Sequence, residues 1–181
     1  PTLPTGGHGT YTYLWESSIV SAVAGFGAAL GMNSGQNYNI LGTLTQTTWY
    51  RRTVTSGPCS NISTAIQITV YGDLTAGTIQ SAQSICYNTV PSTLTQATAP
   101  TGGTGSYTYQ WQDSPNGVVW TDIAGATSSS YSPPALTVNR YYRRVVTSAP
   151  CGSKNSPSIL ITVYADLTPG TIGTAQSVCY N

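Results

Sequence analysis

The side chains that could carry out catalysis or bind a metal ion are few and far apart in the sequence. The chain of 181 residues has one histidine, His8, together with five acidic residues and four cysteines. Nucleophilic catalysis needs a nucleophile beside a base, and the second half of the chain has no histidine for that role. Asp113 and Asp122 are the only acidic residues near each other in sequence. The sequence therefore predicts no enzymatic activity, no cofactor and no metal site.

The charge of the chain excludes a second class of partner. Six basic residues against five acidic ones give a net charge of +1. Binding to nucleic acid needs a basic face or stripe that neutralises phosphates, so we predict no nucleic-acid partner. The sequence also has no apolar run of about 18 residues and no basic segment followed by an apolar one, so we expect neither a membrane-embedded segment nor a signal peptide within it.

One motif occurs twice and reveals an internal repeat. The run WYRRTVTSGPC returns 92 residues later as YYRRVVTSAPC. Trp15 matches Trp111 with an offset of 96 and Cys86 matches Cys179 with an offset of 93, which gives a repeating unit of about 93 residues. We predict a chain cut from a longer array, with three segments: a unit lacking its first strands (1–72), a complete unit (73–165) and the first strand of a following unit (166–181).

The local sequence patterns favour strands over helices. Residues 107–112 alternate aromatic and polar side chains, and Ile159, Ile161 and Val163 recur at every second position, as in strands with one buried face. Short strands of this kind, with a Trp midway and a Cys on either side, are typical of an immunoglobulin-like sandwich. We therefore predict an all-β fold of tandem immunoglobulin-like β-sandwich repeats, whose core contains Trp15, Trp111, Tyr13 and Tyr109.

The cysteines occur at two fixed places in each unit, which favours a structural disulfide in an oxidising compartment. In a sandwich of this topology, the first strand begins at the end where the loop after the sixth strand lies. This geometry predicts a bridge between Cys86 and Cys151, with Cys59 and Cys179 paired outside the fragment. A bridge between Cys59 and Cys86, or between chains, would instead lock neighbours together as a cross-linked fibre.

The Arg143–Arg144 pair raises a question of charge burial. Alternation along a strand turns one of these arginines toward the core, where a bare charge is costly. We predict that this arginine lies at the edge of the sheet, with its stem over an aromatic ring and its guanidinium reaching carbonyls or water, while the other stacks on outward tyrosines. The alternative is that Arg143 and Arg144 are surface contacts forming a site for an anionic sugar, with Trp120 as a further sugar-stacking residue.

The segment after the first Trp differs between the two copies. Residues 113–127 of the second copy, which include Trp120, correspond to residues 16–35 of the first, which are richer in small apolar residues. The first-copy segment is interpreted as a structural variant, as a contact patch against a neighbouring domain or filament strand, or as a ligand site. Phe26 is the aromatic residue that it offers for such a surface contact.

Four runs carry a resemblance to a known family: PTGGTGSYTYQWQDSPNGVVWTDIAGAT, YYRRVVTSAPCG, ILITVYADLTPGTI and QSICYNTVPSTL. Together they resemble the repeats of giant cell-surface adhesins of Bacteroidota, the SprB type of gliding-motility adhesin, over almost the whole chain. The resemblance implies export by the type IX secretion system, an extracellular location on the cell surface, and a role in adhesion or gliding as part of a long filament.

These observations together predict a structural stalk or filament segment of a surface adhesin. Its expected partners are neighbouring repeats of the same chain, other filament strands and surface polysaccharide. The alternatives are a carbohydrate-binding, lectin-like repeat array and a cross-linked extracellular fibre. The feature that separates a spacer from a lectin is the burial of the repeated aromatic residues, since a lectin array would leave a repeated row of them exposed.

Overall fold

The computed structural model describes residues 2–80 and 82–179. These residues form strands and turns, which confirms the all-β prediction, and they include no helix long and apolar enough to cross a membrane. The chain divides into two compact units, Pro1–Gly72 (unit 1) and Asp73–Asn181 (unit 2). Residue 1, which begins the first predicted segment, and residues 180–181, which end the third, lie outside the described residues. So does residue 81 of the second segment.

Unit 1 consists of one five-stranded sheet. Its strands are β1 (Thr12–Ser18), β2 (Gly27–Ala28), β3 (Thr48–Ser56), β4 (Cys59–Ile62) and β5 (Ile66–Ile68). The nine-residue β3 is the central strand, and it pairs antiparallel with β1, β4 and β5. Seven residue pairs join β1 to β3 in continuous register, from Thr12 opposite Thr55 to Ser18 opposite Trp49.

Unit 2 has a six-stranded sheet and a two-stranded one. Its strands are β6 (Thr78–Ile79), β7 (Gln83–Cys86), β8 (Gln96–Thr98), β9 (Thr108–Ser114), β10 (Thr121–Asp122), β11 (Arg140–Thr147), β12 (Ser153–Asn155) and β13 (Ile159–Tyr164). The larger sheet runs in the order β10-β9-β11-β13-β7, with β12 also paired to β11. All of its pairings are antiparallel except that between β13 and β7. The smaller sheet pairs β6 with β8.

The core of unit 2 lies between these sheets. Every second residue of β9, β11 and β13 turns inward, so the strand period delivers Trp111, Tyr142 and Ile161 to the same layer. They pack with Ile79 of β6 and with Leu94, whose backbone pairs with that of Tyr131. Trp111, Leu94 and Ile161 are each 0% exposed. The alternation that predicted strands therefore also builds this core.

The four predicted core residues differ in burial between the units. Trp111 is fully buried, and Tyr109 is half-buried against a second cluster that contains Val146. Trp15 and Tyr13, their counterparts in unit 1, are only half-buried. The repeat offset of 96 places Thr2 opposite Thr98, the last residue of β8, so residues 2–72 have no counterpart of β6 or of the rest of β8, the sheet that covers Trp111. Trp15 and Tyr13 therefore lie on the inner face of their sheet and are only partly covered.

Residues 166–179, which we call the tail, form no strand. Their counterpart in unit 2, which includes β6 and β7, is ordered by pairing with β8 and β13. The described residues offer the tail no such pairing, and a lone strand without a partner is not stable in water. The first strand of a following unit therefore stays a prediction.

Candidate functional site

The repeated Arg-Arg pair lies on the central strand of each sheet. In unit 2, alternation along β11 turns Tyr142, Arg144 and Val146 to the inner face, where all three are buried. Tyr141 and Arg143 are on the outer face and are half-buried. Because β11 is flanked by β9 and β13, the inward arginine lies in the middle of the sheet. The prediction that it lies at a sheet edge is therefore wrong.

Arg144 is 0% exposed and extends between the two sheets. Its Nη1 donates a hydrogen bond to the carbonyl oxygen of Ser129 at 2.7 Å, and its Nη2 donates to Oε1 of Gln96 at 3.2 Å and to the carbonyl oxygen of Ala76 at 3.4 Å. Ala76 and Gln96 belong to the side of the unit that carries the smaller sheet. One guanidinium therefore ties three separate segments to β11.

Aromatic rings provide the rest of the Arg144 environment. The guanidinium carbon lies 4.6 Å from the ring centroid of Tyr109 and 5.9 Å from that of Trp111, within range of cation–π attraction. Burial lowers the pKa of the guanidinium, and Tyr109 acts in the opposite direction. No carboxylate of the described residues pairs with it. Arg144 is thus unavailable as the surface contact that the sequence suggested, because backbone carbonyls and rings enclose it.

Arg143, on the outer face, is held by different groups. Its Nε donates to Oε1 of Gln112 at 2.6 Å, and its guanidinium carbon lies 4.3 Å from the ring centroid of Trp120. Gln112 is fixed in turn, because its Nε2 donates to Asp122. Burial lowers the pKa of Arg143, while the charge of Asp122 raises it. The predicted surface residues Arg143 and Trp120 therefore contact each other.

Unit 1 repeats this arrangement with altered partners. Arg52, the counterpart of Arg144, donates to the carbonyl oxygen of Gln36 at 2.8 Å and lies 5.2 Å from the ring centroid of Tyr13. Arg51, the counterpart of Arg143, lies 3.9 Å from the ring centroid of Phe26. Phe26 thus takes the stacking position that Trp120 has in unit 2. The variable segment supplies an aromatic cover for the outer arginine in both units, a role that the sequence comparison missed.

A carboxylate distinguishes the outer arginine of unit 1. Arg51 donates to both carboxylate oxygens of Glu16, at 3.0 and 3.1 Å, and Thr53 donates to the same group at 2.9 Å. The hydrogen bond from Arg51 lowers the pKa of Glu16, and that from Thr53 adds to this effect, while burial opposes it. In unit 2 the residue that pairs with Arg143, as Glu16 pairs with Arg51, is Gln112, which is uncharged.

This difference predicts an acid sensitivity restricted to unit 1. A carboxylate whose pKa is lowered by folding stabilises the folded state fully above the unfolded pKa of about 4.3, and this contribution is lost as the pH falls through the lower folded pKa. We expect Glu16→Gln, which copies unit 2, to cost about 0.5–1 kcal/mol at neutral pH and to remove this acid-induced loss. Urea unfolding at pH values between about 6 and 2, monitored by amide exchange in β1 and β3, measures this loss of stability in unit 1. An equal loss in both proteins would contradict the assignment.

A trio of neighbouring aromatic rings recurs beside each inner arginine. In unit 2, Tyr131 lies 5.9 Å from both Trp111 and Tyr142, measured between ring centroids. In unit 1, Tyr38 lies 5.7 Å from both Trp15 and Tyr50. Desolvation by burial raises the pKa of Tyr142 to about 12, so its hydroxyl stays neutral. Both units therefore keep the same arginine and the same three rings on the inner face.

The cysteines correct a further prediction. All four are free and exposed. Cys86 pairs with Tyr164, three residues beyond the Ile161–Arg140 pair at the start of β11, whereas Cys151 follows the far end of this eight-residue strand. At about 3.3 Å per residue they lie more than about 20 Å apart, and Cα atoms separated by more than about 7 Å cannot be bridged. The predicted bridge is incompatible with this fold.

The path of the opening segment of unit 2 explains why Cys86 and Cys151 lie apart. The segment that opens unit 2 does begin at the Cys151 end, because Leu74 packs beside Gly103 and Ser148. Cys86, however, lies at the other end of that segment, after β6 and β7 have crossed the length of the unit. The cysteines of one unit therefore mark its opposite ends.

The two acidic residues near each other in sequence, Asp113 and Asp122, both have side-chain partners. Asp113 pairs with Arg140 at 3.5 Å, and Asp122 accepts the hydrogen bond from Gln112. The backbone N–H of His8 donates to Oγ of Ser56. No group of three or more His, Cys, Asp or Glu side chains within 2–80 and 82–179 is placed to hold a metal ion.

Comparison with known proteins gives a family. A family model described as a domain of unknown function, DUF8696, matches the chain twice, over residues 2–72 and 75–165. The chain belongs to this family. The two DUF8696 matches include both Arg-Arg strands and both aromatic trios. No curated protein is similar enough to the chain to be matched to it.

Proposed function

We propose that this chain is a structural stalk or filament segment of a large bacterial surface adhesin, which spaces or displays adhesive regions for attachment or gliding. The proposal rests on the side chains that the two units share. On the inner faces, Trp111, Tyr142 and Arg144 of unit 2 all have identical counterparts in unit 1. On the outer faces, Arg143 is repeated as Arg51, but its contact residues Gln112 and Trp120 are replaced by Glu16 and Phe26. The two units therefore share their inner-face residues and differ in the residues around the outer arginine, as expected of a spacer.

The strand arrangement of unit 2 supports an immunoglobulin-like sandwich as the repeating module. Its opening segment pairs first with β8 in the smaller sheet through β6, and then with β13 in the larger sheet through β7. A first strand that passes between two sheets closes both of them at one edge. The Trp in the middle of the larger sheet, buried against the smaller one, is a feature of the same fold.

Cell labelling with antibodies raised against this chain tests the surface location. Intact cells of the organism that carries the sequence are expected to bind the antibodies without permeabilisation, along extended surface structures. An antibody against a cytoplasmic protein of the same cells is the control, and it should bind only after lysis. Labelling by both antibodies only after lysis would overturn the surface role.

Carbohydrate binding is the rival function that this geometry disfavours. Trp120 is half-buried, and one face of its ring is covered by the guanidinium of Arg143 at 4.3 Å. We expect no glycan on a polysaccharide array to retain the purified chain, and we expect the Trp120→Ala variant to behave identically. Retention that Trp120→Ala abolishes would favour the lectin-like array.

A cross-linked fibre is a second candidate, and the cysteines favour it. Since Cys86 and Cys151 are exposed at opposite ends of unit 2, a disulfide of either one needs a cysteine of the tail, of another unit or of another chain. Peptide mapping of the native protein under non-reducing conditions separates the two functions. Free thiols support a stalk of self-contained units, whereas bridges between units or between chains support the fibre.

A further inference from the structure

The chain enters and leaves unit 2 at opposite ends. The opening segment of unit 2 (73–86) begins beside Val146, near the end of β11 that leads to Cys151. The last strand, β13, ends where Tyr164 pairs with Cys86, at the other end of the unit. Other residues of the chain precede the opening segment and follow β13. Tension along the chain therefore pulls the start of the opening segment and the end of β13 in opposite directions, along the length of the unit.

The two segments that receive this tension are direct neighbours. β7, which ends the opening segment, pairs in parallel with β13, from Gln83 opposite Ile161 to Cys86 opposite Tyr164. Because the two strands are parallel and are pulled from opposite ends, tension slides one strand along the other. All hydrogen bonds between them then resist together, whereas strands pulled apart from the same end lose their bonds one after another. Forced unfolding is governed by the unfolding barrier, which the sliding geometry raises.

Both segments are also anchored in the core of unit 2. In the opening segment, Leu74, Ala76 and Ile79 are buried. The carbonyl oxygen of Ala76 accepts a hydrogen bond from the buried Arg144 at 3.4 Å. In β13, Ile161 is fully buried, and the strand lies between β11 and β7 in the larger sheet. Sliding either segment therefore also moves buried side chains out of their places in the core.

The direction of the backbone N–H groups of β13 identifies which bonds join it to β7. The N–H of Val163 donates to Oδ1 of Asn139 at 2.8 Å, on the β11 side. Successive N–H groups of a strand face opposite edges, so the N–H of Thr162 faces β7. In a parallel pair, a residue whose backbone groups face the partner strand lies opposite a residue whose own groups face away. Ser84, the partner of Thr162, therefore turns its N–H to the free edge of the sheet.

We propose that unit 2 withstands tension along the chain through the parallel β7–β13 pair. The use of this strength in attachment rests on the proposed function, since a stalk that joins a cell to a surface is pulled along its length. The strength itself is a property of the folded unit and is measured on the purified chain. Its failure would leave the surface location to be decided by cell labelling, and a failure of cell labelling would leave the mechanical result unchanged.

Pulling single molecules in two directions tests the proposal on one fold. In a chain with all four native cysteines replaced by serine, handles are attached through Ala165→Cys and either Asp73→Cys or Tyr87→Cys, all at exposed positions. The Asp73 tether slides β7 along β13, whereas the Tyr87 tether pulls both strands from the same end. At equal pulling speed, we expect the unfolding force of unit 2 to be about threefold higher with the Asp73 tether. A force that is no higher with the Asp73 tether would overturn the proposal.

A matched pair of proline substitutions locates the resistance. Thr162→Pro removes the N–H that faces β7 and should lower the force measured with the Asp73 tether about twofold. Ser84→Pro, at the partner position, removes an N–H at the free edge of the sheet and should leave this force unchanged. Equal forces for the two variants would place the resistance outside the β7–β13 pair and contradict the proposal. If Thr162→Pro does not fold, the comparison of the two pulling directions still decides.

Discussion

Replacing Arg144 with alanine is expected to lower the free energy of unfolding of unit 2 by about 3–5 kcal/mol. The side chain is fully buried, and its removal leaves a cavity beside Tyr109 and Trp111. It also leaves the carbonyl oxygen of the buried Ala76 without this donor, and an unsatisfied buried acceptor costs about 1–3 kcal/mol, while the exposed Ser129 loses its hydrogen bond from Arg144. Urea unfolding monitored by amide exchange in β9 and β11 measures the change in the free energy of unfolding of unit 2.

Two variants serve as controls for Arg144→Ala. Arg143→Ala removes the neighbouring, half-buried guanidinium from Trp120 and Gln112, and should cost about 1 kcal/mol. Arg144→Lys keeps the charge, but a lysine ammonium lacks the planar fork that reaches several acceptors while stacking on a ring. It should therefore retain less than half of the stability that alanine loses. Equal effects of Arg143→Ala and Arg144→Ala would contradict a structural role for the inner arginine.

Replacing Trp111 with alanine is expected to cost unit 2 about 3–5 kcal/mol. Trp111 is 0% exposed, packs in the core layer with Tyr142 and Ile161, and donates its indole N–H to the carbonyl oxygen of Ser128 at 3.0 Å. The substitution removes a large buried side chain from between two sheets that cannot fully close on the cavity. Amide exchange in β9, β11 and β13 reports the loss without relying on tryptophan fluorescence.

Trp15→Ala is the matched control for Trp111→Ala. Trp15 has the same ring contact, with Tyr38, and the same kind of indole hydrogen bond, to Gly35 at 3.0 Å. It is only half-buried, since residues 2–72 supply no covering sheet. We expect Trp15→Ala to cost unit 1 about 1–2 kcal/mol. If the two substitutions cost the same, the smaller sheet would contribute little to the burial energy of this position.

The two substitutions also bear on the proposed function. Arg144 and Trp111 are the inner-face residues that unit 1 repeats as Arg52 and Trp15. A stalk depends on such residues for the stability of each module, and not for contact with a ligand. Large losses of stability together with unchanged glycan retention would be the combined result expected of a spacer.

The sequence by itself determined the features that depend on local periodicity. Alternation at every second residue predicted strands, because successive side chains of a strand point to opposite faces. The same alternation required one arginine of each pair to face inward. The duplicated motif set the repeat, since two matching sequences fold by the same local rules. These inferences needed no knowledge of which strands become neighbours.

Only the tertiary structure decided the features that depend on strand neighbours and strand ends. The sequence placed the inward arginine at an edge, but β11 lies between β9 and β13, so Arg144 is enclosed. Phe26 does not align with Trp120 in the sequence, yet loops of different length bring each ring over the outer arginine of its own unit. Cys86 and Cys151 frame the same domain in sequence, but their strands run to opposite ends of it. Periodicity fixes the face of a strand that a residue occupies, whereas its neighbours follow from pairing between distant segments, which no local pattern records.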